Sequence, residues 1–217
     1  TREYYINDAG NQMQLFFESV LARYRELLGI SFALPEGGYQ GDYIKDVAEL
    51  VHSEFGDSLI DNPEAINEMA QFSTDTMLNA ISDDLCELRV EFDNWFSEKS
   101  LFGSDEYTDT IGELESKSYL KKMDSALWFV STMLEEEKDN VIVKSTGEPT
   151  YFASDIAYHR NKFKTRGFDQ VIDIWGADHQ GHISRLKAAM RALDIDDSKL
   201  KILISQMVTL KQGDEIV

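Results

Sequence analysis

Cysteine is almost missing from this 217-residue chain: Cys86 stands alone. No internal disulfide can form, which suits a reducing cytoplasm. Its setting, Leu85-Cys86-Glu87-Leu88, marks the thiol as an apolar filler. No apolar run approaches the ~20 residues of a membrane span, and no secretory signal is visible. A cytoplasmic protein without a membrane partner is therefore expected. Positive charge is also scarce, with 21 lysines and arginines against 40 aspartates and glutamates, a net charge of −19. Such a surface repels phosphate backbones, so broad nucleic-acid binding by this chain alone is not expected. A cationic substrate fits better. There is no internal repeat, and low complexity is limited to Glu135-Glu136-Glu137. The chain starts at Thr1 rather than Met and stops at Ile216-Val217 without a tail. A piece of a longer protein is the expectation.

The hydrophobic content of 42% is enough for a sizeable core. Residues 2–7 read as a short strand, and Asp8-Ala9-Gly10-Asn11 as a turn in which Asp8 or Asn11 could cap a helix. Met13, Phe16, Phe17, Val20, Leu21, Tyr24, Leu27 and Leu28 then recur at helical spacing until Gly29 stops them. Residues 30–42 form a loop. From 43 to about 92 the pattern is helical and acidic, broken at Asp61-Asn62-Pro63, where proline suits a first helical turn. Phe92–Glu98 reads as a strand and 107–123 as a helix. Ala126–Thr132 and Val141–Lys144 read as a hairpin across the charged loop Glu135–Asn140. In the last third, 171–175 is a strand, 180–193 a helix and 200–209 a strand. Both strands are apolar runs, as in a parallel sheet covered on both faces. Arg185, Lys187 and Arg191 read as the wet side of the intervening helix.

Two stretches carry chemistry. The first is Val171–His182, a strand that ends at Gly176, followed by a polar turn and a helix start. Ligands bind at such carboxyl ends in open α/β sheets. Gly176 and Gly181 permit close backbone approach, and free N–H groups favour an anion. Asp178, His179 and His182 offer metal-ligand atoms at loose spacing. His179-Gln180-Gly181-His182 has the form His-x-Gly-His, a phosphate-binding signature, and also suits a plain ribose-facing turn. The second stretch is 150–163. On a helix, Tyr151, Asp155, Tyr158 and Lys162 share one face, and Phe152, Ile156, His159 and Phe163 the neighbouring core face. In solvent the first face is bland. Beside Gly176 it is a cation site, with Asp155 for charge and tyrosines for hydrogen bonds and stacking.

Six blocks together resemble the central catalytic region of bacterial-type arginyl-tRNA synthetases, in the family's order and over essentially the whole chain. They are Arg2–Gln12, Phe92–Glu98, Gly147–Arg160, Arg166–Asp169, Gly176–His182 and Gln206–Val208. The resemblance implies an α/β fold: an incomplete class I Rossmann-type domain with a mainly helical insertion carrying a small β element. Residues 1–29 would be its first-half strand and helix, 30–144 the insertion, and 145–217 the second half with the amino-acid and ATP site. It also assigns His179–His182 to the second-half motif. The true His-x-Gly-His and Lys-Met-Ser-Lys signatures would lie outside residues 1–217, so these residues alone should show no arginine-dependent pyrophosphate exchange. Gln180 stands where many relatives carry histidine. Glu135–Asn140 replaces a loop usually written Gly-Asp-Asp-Lys-Asp-Arg.

The implied reaction joins L-arginine to tRNA through arginyl-adenylate, using ATP with Mg2+ as its counter-ion. The tRNA would be engaged through the full-length protein. By position, Tyr151 and Asp155 would hold the arginine side chain, with His179 beside the amino acid. Gly176 and Asp178 would meet the ribose, and Met207 and Val208 the adenine. Two other classes stay open at this point: a non-catalytic arginine-binding module of the same fold, and a metal-dependent hydrolase built on Asp178, His179 and His182.

Overall fold

The computed structural model describes residues 1–57, 59, 62–209, 211–213 and 215–216. They fall into two compact units, Thr1–Ser97 and Glu98–Val217. The first unit opens with strand β1 (Glu3–Ile6) and helix α1 (Asn11–Leu27), followed by α2 (Tyr43–Phe55), α3 (Pro63–Glu87) and strand β2 (Asn94–Ser97). The turn residue Asp61 lies outside the described residues, but Pro63 heads α3 as its spacing predicts. β2 returns parallel to β1, pairing Tyr4 with Trp95 and Tyr5 with Phe96.

The periodicity read in α1 is the one that packs. Phe16, Val20 and Tyr24, each four apart, are buried against Ile44, Val47, Ala48 and Val51 of α2 and Met69 of α3. Two hydroxyls tie this core. Tyr24 Oη donates to the Gly56 carbonyl at 2.5 Å. Ser19 Oγ donates to Leu15 O and accepts from the Tyr39 N–H. Neither expected side-chain cap forms on α1, because Gly10 occupies the cap position. Asp8 accepts from Ser97 Oγ at 2.6 Å instead.

The second unit begins with α4 (Lys99–Gly103) and α5 (Glu106–Ser116), followed by β3 (Leu120–Met123), β4 (Ala126–Phe129) and β5 (Asn140–Val143). The expected helix over 107–123 is therefore corrected, since its last four residues are a strand. Ser118 takes a left-handed φ of 63° and ends α5; Asp124 and Ser125, at 51° and 61°, make the two-residue turn into β4. Glycine usually marks such turns, and its absence hid them. The expected hairpin is thus part of a three-stranded antiparallel sheet, β3-β4-β5.

The chain continues through α6 (Tyr151–Arg160), a π turn (Asn161–Thr165), β6 (Val171–Gly176), a 3-10 turn (Ala177–His182), α7 (Ile183–Ala192) and β7 (Leu200–Ser205). β6 and β7 are parallel, as expected, from Val171–Leu200 to Gly176–Ser205. α6 and α7 bury Phe152, Ile156, Leu186 and Met190 in one core with Val171, Leu200, Phe129 and Ile142. The sheet differs from expectation in coverage. Val171, Trp175, Leu200 and Ile202 belong to the core or pack against it. On the opposite face Ile172, Ile174 and Leu203 are exposed, at 57%, 73% and 54%. A largely apolar strand does not by itself show whether one face or both are covered within the chain.

Candidate functional site

Two elements of the second unit carry the sequence-predicted residues. Helix α6 starts where Thr150 is pinned to β5: its N–H donates to Ile142 O and its Oγ1 to Val141 O, both at 2.9 Å. That anchor leaves Tyr151 exposed at 57%. Asp155, one turn on, is half-buried. Burial pushes its carboxyl above the usual carboxylate range, opposed by the charges of His159, Arg185 and His179. No described side chain is recorded donating a hydrogen bond to it. A desolvated carboxylate beside a phenol is what a guanidinium can satisfy bidentately.

The rest of the predicted face is not open. Tyr158 is buried, and the Lys162 ammonium lies 3.9 Å from its ring centroid. Lys162 is itself buried and bonds Asp173 Oδ1 at 2.8 Å. The face is already closed at Tyr158 within α6, before the π turn that carries Lys162. His159 meets the other oxygen of Asp173, Nε2 to Oδ2 at 2.6 Å. Burial works against the Asp173 charge, but the hydrogen bonds and charges of His159 and Lys162 hold its carboxyl well below the usual range.

Sequence reasoning missed this network. Its signal was present as an aspartate inside an apolar strand, Ile172-Asp173-Ile174, since a buried acid needs a partner.

Arg185 also corrects the sequence reading. It is not on the wet side of α7. Its guanidinium stacks over Phe152 at 4.8 Å and donates to Asn140 Oδ1 at 3.2 Å and His182 Nδ1 at 2.8 Å. The reason is the loop before β5, which packs across it. Ser131 Oγ donates to Lys138 O, and Asn140 Nδ2 donates to Ser131 Oγ. Glu135 adopts a left-handed φ of 71°. Asp139 accepts from both the N–H and Oγ1 of Thr132 and closes the loop.

The second element is the carboxyl edge of the β6–β7 pair. Gly176 and Ser205 are register partners, so the segments Ala177–His182 and Gln206–Val208 leave the sheet side by side. The Asp178 carboxylate folds back over Gly176, where an added Cβ would meet Oδ1 at 2.5 Å. Any larger residue at 176 would displace that side chain. Asp178 and His179 are exposed, with Nε2 of His179 3.5 Å from Oδ2 of Asp178. Met207 and Val208 are 87% and 84% exposed. These groups are free to line a flat ring and a ribose. Burial, with Arg185 and His179 nearby, lowers the His182 pKa. Its Nδ1 accepts from Arg185 and is not available to an ion. Among the described residues no group of three histidine, cysteine or acidic side chains could hold a metal.

The second unit is an α/β arrangement with an open strand edge at Gly176 and Ser205 and a half-buried carboxylate, Asp155, on α6. No protein-family model matches the chain. The arginine–tRNA ligase of Dehalococcoides mccartyi is 49% identical over 99% of it, and that of Carboxydothermus hydrogenoformans 49% identical over its full length. A Campylobacter jejuni protein assigned as an arginyl-tRNA synthetase superposes with a TM-score of 0.88 at 36% identity, covering 99% of this chain and 47% of that one. The Thermus thermophilus arginyl-tRNA synthetase shares the fold, with a TM-score of 0.64 at 16% identity over 94% of this chain and 41% of its own. The chain is thus similar to arginyl-tRNA synthetases over nearly all of its residues, and it spans 39% of the length of the curated relatives it matches.

Proposed function

We propose that the chain serves the ATP-dependent joining of L-arginine to tRNA, through arginyl-adenylate, as part of a longer enzyme working in the cytoplasm. Residues 1–29 and 145–217 would be parts of a class I Rossmann-type domain, with 30–144 inserted between them. The observation that carries the reading is Asp155 of α6. It is a desolvated carboxylate one turn from an exposed tyrosine, in a chain 49% identical to arginine–tRNA ligases over 99% of its length.

Tyr151 and Asp155 would receive the guanidinium, and its arrival would favour the ionised form that burial disfavours. Lysine cannot supply the planar fork, and citrulline lacks the charge. His179 would border the amino acid. ATP, with Mg2+ as counter-ion, fits the strand edge: Gly176 lets the ribose approach, Asp178 offers acceptors to its hydroxyls, and Met207 and Val208 offer uncovered apolar surface to the adenine. No residue of 1–217 is assigned to the α-phosphate, where adenylate formation needs charge stabilised. The net charge of −19 suits arginine and leaves tRNA contact to basic surfaces elsewhere in a full-length protein.

The test is Asp155→Asn in the complete ligase. Its KM for arginine is expected to rise at least ~tenfold, because an unmatched buried group beside the guanidinium is disfavoured by over 1 kcal/mol. An unchanged KM would remove Asp155 from the site.

A further inference from the structure

Among the groups buried in the second unit, one set has no part in the function proposed above: His159, Lys162 and Asp173. His159 is 2% exposed. Its Nδ1 lies 2.7 Å from the Asp155 backbone carbonyl, and its Nε2 lies 2.6 Å from Asp173 Oδ2. A carbonyl oxygen can only accept, so Nδ1 carries a proton. Asp173 is also acceptor-only while it is ionised, and Lys162 at Oδ1 favours that form. Nε2 therefore donates too, and the ring is held between two acceptors.

The groups around this ring come from five elements. α6 supplies Asp155 and Tyr158, the π turn Lys162 and β6 Asp173, while His179 of the 3-10 turn and Arg185 of α7 act on Asp155. Asp173 lies on the strand that ends at Gly176. The contact chain thus runs from that strand through one imidazole to the backbone of Asp155.

We propose that Asp173 is a positioning residue for the arginine site, acting through His159 to hold the Asp155 turn of α6 in register with the strand that delivers Gly176 and Asp178. This rests on Asp155 being the guanidinium acceptor. Asp173 touches no substrate. Its role is to fix the ring that donates to Asp155 O and to keep two ligand-bearing elements at one spacing. Misplacement by about an ångström is enough to cost a site two orders of magnitude.

The first test needs no substrate. Ring-15N labelling of the complete ligase resolves His159 by difference from the His159→Gln variant. Both nitrogens are expected as N–H donors; a lone-pair nitrogen on the ring would overturn the proposal. The second test is kinetic and uses the complete ligase. Asp173→Asn and His159→Gln are each expected to raise the KM for arginine about tenfold while the KM for ATP stays within about twofold. The double variant is expected to be no worse than the poorer single one. Independent, additive rises, or an unchanged arginine KM in both single variants, would overturn the proposal. Lost folding would lower the active fraction without this KM pattern, and His159→Gln together with the wild-type spectrum keeps the test alive if Asp173→Asn does not fold. If Asp155→Asn alone leaves the arginine KM unchanged, the functional reading fails while the nitrogen assignment stands.

Discussion

Residues 1–97 carry five basic and nineteen acidic side chains, a net −14, and among the described residues bury none of them. Residues 98–217 carry sixteen and twenty-one, a net −5, and bury Glu98, His159 and Lys162. The first unit holds together largely by apolar contacts and hydroxyl ties, with most of its charged side chains at the surface. The second takes charge inside and must pair it: Asp173 with His159 and Lys162, Glu113 with Lys117, Arg160 and Lys164. A carboxylate partly stripped of water is costly without a partner, and the unit that already pairs buried charge holds one. That is where Asp155 lies.

The largest expected effect breaks the first unit alone. Met69 is fully buried among Phe16, Val47 and Val51. Met69→Ala should lose about 2–5 kcal/mol through lost transfer energy and a residual cavity. Peptide-resolved hydrogen exchange should show protection falling across α1, α2 and α3 while α5, α6 and α7 keep theirs. Equal loss in both units would mean that they unfold as one block, and the contrast drawn above would not describe how the protein comes apart.

A smaller effect concerns the second unit's pairing. Burial opposes the Glu113 charge, but hydrogen bonds from Lys117, Lys164 and Arg160 outweigh it and bring the pKa from 4.5 to about 2. A depressed carboxylate stabilises the fold above its unfolded value and loses that contribution as pH falls through the folded one. Exchange protection in α5 and α6 should therefore decay between the two values, 4.5 and about 2. Glu113→Gln should flatten that window and leave the unit less stable at neutral pH. A variant with the wild-type acid profile would show that the three cations are satisfied elsewhere.

The same contrast explains what could be read in advance. In the first unit Val20 and Tyr24 are buried where the spacing of α1 puts them, whereas Leu27 on the same stripe and Cys86, read as an apolar filler, are exposed. In the second unit, β6, α7 and β7 were legible for the same reason, as was the pairing of Tyr151 with Asp155 on one helix face. The failures have local causes. Asp124 and Ser125 turn the chain without glycine. Tyr158 and Lys162, expected on a cleft face, are both buried, because the far half of that face packs into the core. Arg185 lies under a loop whose path depends on Ser131 and Asn140. The bond between His159 and Asp173 joins residues 14 apart on different elements, which helical spacing alone does not link.

The smallest expected effect separates the units by the sign of their response to salt. In the first unit, nineteen of twenty-four charged side chains are acidic, so the mean interaction between exposed groups is repulsive. Raising ionic strength shortens the screening length from ~10 Å at 0.1 M to ~3 Å at 1 M, which relieves that repulsion in the folded state. In the second unit the same screening acts on attractive pairs, Lys144 with Glu148 and Arg191 with Asp197, at 3.2 and 2.9 Å. Exposed pairs of this kind are each worth about 0–1 kcal/mol, and salt weakens them. Sodium chloride, chosen over sulfate to limit preferential exclusion, should therefore raise exchange protection in α2 and α3 by a few tenths of a kcal/mol and leave α5 and α7 unchanged or slightly weakened. A uniform rise in both units would point to a general salting-out of apolar surface, and the exposed strand face at Ile172 and Ile174 would then account for more of the second unit's behaviour than its ion pairs do.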